Sequence, residues 1–239
     1  MEHRQLHEWP AGRSDACRIQ ERLSADVTLF GSLQNVNLIT AIDTAYGAHG
    51  NTLYACAVTV SFPDIEQVET AFHYGSTEFP YIPGLLFFRE GPIISKALSK
   101  LKSDPDLIIV HGHGIAHPRQ CGMACHLGLA FDRPTVGCAR RLLAGAHKSL
   151  PTNKGACQPM ILNSKEVGVA YRSKDRVKPI FISPGHKCDL DQAKDIIVRN
   201  LRGFRLPEPL RLAHLLANKG KRRIEKRASA HQSPIEETA

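Results

Sequence analysis

The 239 residues predict an α/β fold built on one mixed sheet. Three observations predict it. Short runs rich in apolar and β-branched residues alternate with stretches of helical periodicity. The first three such runs follow one another across short turns, which suits an antiparallel meander. The later runs are separated by helix-length stretches, as parallel strands require. The composition, 42% hydrophobic and 23% charged with 18 Gly and 15 Pro, excludes collagen-like, coiled-coil and wholly disordered chains.

Taken in order, residues 1–13 read as a flexible N-terminus. Ser14 is placed to cap a helix over 15–27. The stretches 37–46 (NLITAIDTAY), 53–62 (LYACAVTVSF) and 66–74 (EQVETAFHY) are the three meander strands. A helix follows over 83–101. Pro83 suits a helix start, the apolar positions Leu85, Phe88, Ile93, Ile94, Ala97, Leu98 and Leu101 supply buried faces, and Pro92 predicts a kink near 89–91. The strand 106–110 is apolar enough to be buried on both sides, and it runs into His111-Gly112-His113-Gly114. A helix over 122–131, short strands over 134–139, 166–171 and 178–183, and a helix over 189–201 complete the domain, 14–217. Residues 218–239 read as a basic, disordered tail. Three strands, helix, strand, helix, strand is the order of the ribonuclease H-like architecture, one of several α/β folds that this pattern admits.

Several classes are excluded. No stretch approaches the roughly 18 apolar residues of a membrane span, and residues 1–11 lack the apolar region of a signal peptide, so a cytoplasmic protein is expected. Seven cysteines, an odd number at irregular spacing, fit reduced thiols better than a disulfide framework. Cys121 and Cys125 read as small residues on a packed helix. The formal charge is +8. Much of it lies in 218–228, where Lys219, Lys221, Arg222, Arg223, Lys226 and Arg227 face one acid, Glu225. Such a run is either a solvated end or a contact for nucleic-acid phosphates.

Two carboxylates carry a chemical signal. Asp43 sits mid-strand in an apolar setting, where an unpaired carboxylate is costly; a metal or a set of structural hydrogen bonds would relieve it. Glu90 follows Arg89 in the first long helix, where the plain alternative is a surface ion pair.

Longer blocks narrow the reading. Pro80-Tyr81-Ile82-Pro83-Gly84-Leu85-Leu86 with Phe88-Arg89-Glu90, and 105–119 (PDLIIVHGHGIAHPR), resemble the endonuclease V family, the deoxyinosine 3′ endonucleases. So do Pro134-Thr135-Val136-Gly137, Ser183-Pro184-Gly185-His186, Arg205-Leu206-Pro207-Glu208-Pro209 and Arg211-Leu212-Ala213-His214, all in family order across about 15–217. The resemblance implies a ribonuclease H-like fold and a Mg²⁺- or Mn²⁺-dependent nuclease. It implies recognition of hypoxanthine in DNA or RNA, a cut at the second phosphodiester 3′ to the lesion, and a monomer. Asp43, Glu90 and the residue at 111 match the metal ligands, and His214 matches a catalytic position near the metal. Tyr81 matches the wedge that fills the gap left by a flipped base. Pro83, Gly84, Gly112, His117 and Arg140 match positions that face the nucleic acid.

Two positions depart from the family pattern. His111 stands where relatives carry Asp, and Arg140 where they usually carry Lys. The first replaces an anionic oxygen donor by imidazole, which suits Mn²⁺, Zn²⁺, Co²⁺ or Ni²⁺ better than Mg²⁺. The expectations are therefore an active nuclease with altered metal preference, an inosine-binding homologue that has lost Mg²⁺-dependent cleavage, or a different metal held by His111, His113 and His117 at H-x-H-x3-H spacing.

Overall fold

A computed structural model of the chain describes residues 1–231 apart from Ser32, Gln34 and His49, with no side-chain description at 230–231. Eight strands form one sheet: β1 (Leu38–Tyr46), β2 (Thr52–Ser61), β3 (Gln67–Ser76), β4 (Leu107–Val110), β5 (Thr135–Ala139), β6 (Cys157–Leu162), β7 (Lys165–Tyr171) and β8 (Ile180–Pro184). The spatial order is β3-β2-β1-β4-β5-β8-β7-β6. The meander β1–β3 is antiparallel, β1, β4 and β5 are mutually parallel, and β8, β7 and β6 return antiparallel. This is the mixed α/β sheet expected from the sequence.

Five helices flank it: α1 (Arg13–Ser24), α2 (Leu86–Leu98), α3 (Met123–Phe131), α4 (Leu190–Arg199) and α5 (Glu208–His231). Alternation along β1 builds both layers, because successive strand side chains point to opposite faces. Ile39, Ala41 and Ala45 join the core beneath α4 and α5, with Ile196, Leu210, Ala213 and Ala217. Ile42 joins the opposite core, with Phe88, Ile94, Leu98 and Leu127 of α2 and α3. Among the described residues, no helix is long and apolar enough to cross a membrane. All seven cysteines are free thiols, five of them buried.

Several expectations are corrected. The helix assigned to 15–27 begins at Arg13 behind Gly12, so Ser14 lies inside it and does not cap it. The helix assigned to 83–101 begins only at Leu86, leaving Pro83 and Gly84 in a turn, and it continues through Pro92. Residues 1–13, read as flexible, lie along α2 and α3: the Arg4 amide donates to Ala130 (2.7 Å) and the rings of His7 and His126 are hydrogen-bonded at 2.8 Å. Strand β6 was not anticipated because Pro159 sits within it. That proline is tolerated because β6 is the sheet's edge. The largest difference is at the C-terminus. Residues 218–231 continue α5 as helix, and 232–239 lie outside the described residues.

Candidate metal centre and nucleic-acid cleft

The centre forms where β1 and β4 end side by side. Parallel pairing sets Ile42 opposite Val110, so the residue after β4, His111, falls beside Asp43. Its amide also continues the ladder, donating to the Ile42 carbonyl at 3.3 Å. Asp43 points toward α5. Its Oδ1 accepts from His111 Nδ1 at 2.8 Å and its Oδ2 from His214 Nδ1 at 2.7 Å. Burial pushes this carboxyl's pKa up, but the hydrogen bonds from the two histidines outweigh it and hold the group at about 2. Asp43, His111 and His214 are the cluster of potential metal ligands among the described residues, each offering an atom within 4.8 Å of the others'.

Glu90, expected as a metal ligand with Asp43 and His111, lies outside that cluster. It is fully buried on α2, on the other side of β1. Thr44 Oγ1 donates to its Oε2 at 2.8 Å and Tyr46 Oη makes a short bond to its Oε1. Burial pushes its pKa above the usual carboxylate range, while the two hydroxyls pull against that rise. Glu90 nonetheless lines the same cleft as Asp43 and His111. Its neighbour Arg89 is also buried, donating to the carbonyls of Phe79 and Gly50 and lying 5.6 Å from the Tyr46 ring centroid. The surface ion pair that the sequence allowed is therefore absent among the described residues. Thr44 and Tyr46 escaped sequence reasoning. Their signal is the period of two: with Asp43 facing one layer, they must face the other.

The cleft has a volume of about 510 Å³ and is lined by Asp43, Glu90, Tyr81, Gly112, Met123 and Arg140 among others. Tyr81 stands at its mouth, 63% exposed. The loop that presents Tyr81 is fixed through the carbonyl of Gly84, which accepts from His117 Nε2 (2.7 Å), Gln20 Nε2 (2.9 Å) and Arg119 Nη2 (3.1 Å). Gly84 has φ +80°, and a Cβ there would lie 3.3 Å from both His117 and Arg119. Glycine is what that backbone and that proximity require. His117 is almost fully buried. Its Nε2 is committed to Gly84 and its Nδ1 to the amide of Arg119, so it positions the loop and offers no free nitrogen to a ligand. Gln20 and Arg119, joined at 2.7 Å, were not singled out in the sequence, because a glutamine on α1 carries no motif. His113 also lines the cleft. Its Nε2 bonds the Arg141 carbonyl at 2.9 Å, its Nδ1 is buried without a partner among the described residues, and burial lowers its pKa to about 4.

A buried carboxylate and two imidazoles, with the carboxylate and one imidazole lining a cleft that also carries an exposed aromatic, can hold a divalent cation against an anionic ligand. The Endonuclease V family model matches residues 21–215. The chain belongs to the endonuclease V family. Endonuclease V of Nostoc punctiforme is 41% identical over 213 residues, covering 89% of this chain and 96% of its own. The crystal structure of Endonuclease V from Streptomyces avermitilis superposes with TM-score 0.85 at 33% identity, covering 94% of this chain and 100% of its own. Endonuclease V of Ciona intestinalis, solved as a variant with a 23mer DNA containing an inosine followed by a ribo-adenosine, superposes with TM-score 0.79 at 26% identity, covering 88% and 97%. Endonuclease V membership makes the chain a member of a nuclease family, and the Asp43–His111–His214 cluster lies within the matched span.

Proposed function

We propose that this endonuclease V recognises hypoxanthine in DNA or RNA and cleaves the second phosphodiester 3′ to it by divalent-metal-assisted hydrolysis. It acts as a cytoplasmic monomer in nucleic-acid repair or processing. The observation that carries the reading is the convergence of Asp43, His111 and His214 beside a cleft that Tyr81 lines. The Ciona relative's complex with inosine-containing DNA supports the substrate class.

The donor set fits a divalent cation: one carboxylate oxygen and two imidazole nitrogens, already converged. Asp43, His111 and His214 would hold it. Bound there, a divalent cation neutralises charge on a phosphodiester and acidifies an attacking water. The protein's own groups do the rest. Tyr81 is placed to stack against the bases on either side of an extruded nucleotide, which is worth about 1–3 kcal/mol per stacked base. The pocket walls at Gly84 and Gly112 let backbone groups approach a base edge. Arg140 at the rim offers a cation to a phosphate. Glu90, held ready by Tyr46 and Thr44, is the second carboxylate of the reaction. A two-histidine, one-carboxylate set favours Mn²⁺ and neighbouring first-row ions over Mg²⁺.

His111 also supports a second reading, an inosine-binding homologue impaired in Mg²⁺-dependent cleavage. One experiment separates the two. Single- and double-stranded oligonucleotides carrying one inosine are incubated with the native protein and with His111→Asp, in Mg²⁺ and in Mn²⁺. A cut one nucleotide beyond the lesion by the native protein in Mn²⁺ supports the active enzyme. Binding without cutting, rescued by His111→Asp in Mg²⁺, supports the binder. Equal treatment of inosine and adenosine substrates would sink both.

A further inference from the structure

We propose that the exposed basic stripe of α5 binds the substrate's phosphate backbone on the 3′ side of the cut; this rests on the inosine-directed reading above. Residues past 215 lie beyond the family match, yet they continue the helix that carries His214. This extension is docked. Ala213 and Ala217 are buried beneath it, Leu216 and Ile224 pack on the same core, and Gly220 lies so close to Phe72 that a Cβ would fall 2.3 Å from its ring. Seating one face fixes the other. Lys219, Arg222 and Lys226, spaced three and four apart, share the exposed side, with Arg223 beside them. Among the described residues, none of these four is paired with an acid. The single acid of the stretch, Glu225, turns inward, to within 3.3 Å of the position a Gly47 Cβ would take.

Place and polarity follow from the sheet. The cleft lies on the α2–α3 side of Asp43, lined by Gly84, His117 and Met123. Helix α5 lies on the other side, against β1 and β2. A strand whose flipped base enters the cleft, and whose second phosphodiester 3′ to that base reaches Asp43, leaves toward α5. From His214 to Lys226 the helix rises about 18 Å, the rise of about five nucleotides of one DNA strand.

The test is binding by fluorescence anisotropy, in EDTA to prevent turnover. Inosine oligonucleotides are graded in length on either the 3′ or the 5′ flank, and the native chain is compared with Lys219→Ala/Arg222→Ala/Lys226→Ala. Alanine preserves an exposed helix, and far-UV circular dichroism checks that it does. The native protein should lose roughly tenfold in affinity when the 3′ flank is trimmed to two nucleotides beyond the cut, and the triple variant should not. The slope of log K against log salt should fall by about 2–3, near 0.9 per lost phosphate contact. A triple Lys/Arg→Glu variant should show a larger loss of the same kind. An unchanged slope, or a loss that follows the 5′ flank, overturns the proposal. Failure of the inosine reading shows separately, as equal affinity of the native protein for inosine- and adenosine-containing oligonucleotides.

Discussion

Asp43 is shared between two histidines, and Glu90 between two hydroxyls on the next turn of the β1 pleat. The second arrangement yields a prediction at the scale of single residues. A hydroxyl that donates to a carboxylate favours its charged form. Burial already pushes Glu90 up, so Tyr46→Phe removes a brake on that rise. The acidic limb of the pH–rate profile should move to higher pH, and stability should fall by about 1–3 kcal/mol for the lost partner of a buried acceptor. A profile that keeps its acidic limb, with only the maximal rate reduced, would show that Glu90 does not titrate in the rate-determining step. Tyr81→Ala is the complementary case. It removes an exposed ring, so the melting temperature should hold while discrimination of inosine from adenosine falls by about tenfold or more, as expected for loss of one stacking platform of 1–3 kcal/mol. Comparison of inosine and adenosine cleavage rates checks it.

At the scale of elements, the loop that carries Tyr81 is held by one carbonyl with three donors. Gly84→Ala forces a side chain into a left-handed backbone, at about 1–2 kcal/mol, and crowds His117 and Arg119. The melting temperature should fall by several degrees, and selectivity should suffer more than the rate on any single-stranded substrate. Preserved selectivity would mean that the loop re-forms without its anchor. The same scale shows what the sequence made legible. Strands β1, β2, β4 and β5 were readable because buried apolar runs are continuous there, as were Asp43 within β1 and His111 just after β4. The helix α5 was hidden by Pro207, Pro209 and a run of cations that reads as solvent-exposed. Its opposite face, Leu210, Ala213 and Ala217, is sparse and gains meaning only once β1 and β2 are in place to receive it. Glu90 was legible through its motif, but not its separation from the histidine pair. That depends on Thr44 and Tyr46, which hold Glu90 and which a linear reading does not connect to position 90.

At the scale of the whole molecule, several buried histidines set the response to acid. Burial lowers the pKa of His113 and His117 to about 4, and that of His126 well below its ordinary value, from a reference of 6.5. His126 is nearly inaccessible, stacked on Phe87 at 3.4 Å between centroids. The unfolded chain takes up protons at these sites near pH 6.5, the folded chain only near or below pH 4. Stability from these groups is therefore complete above pH 6.5 and is lost as pH falls toward 4, at up to about 1.4 kcal/mol per pH unit for each histidine. Denaturant melts at pH 7, 5.5 and 4.5 should show a steep decline, and His126→Phe should make it shallower. A flat profile would mean that these rings are accessible and protonate in the folded chain as readily as in the unfolded one.

The bond between Asp43 and His214 joins positions 171 apart in the chain. Among the described residues no other hydrogen bond in the cluster closes so long a loop, and α5, which delivers His214, is the last described element. During synthesis, a chain that has emerged only as far as β8 holds Asp43, Glu90, His111 and Tyr81, but not the third member of the cluster. The cluster is thus incomplete on every nascent chain that lacks α5, a delay set by the order of the sequence itself.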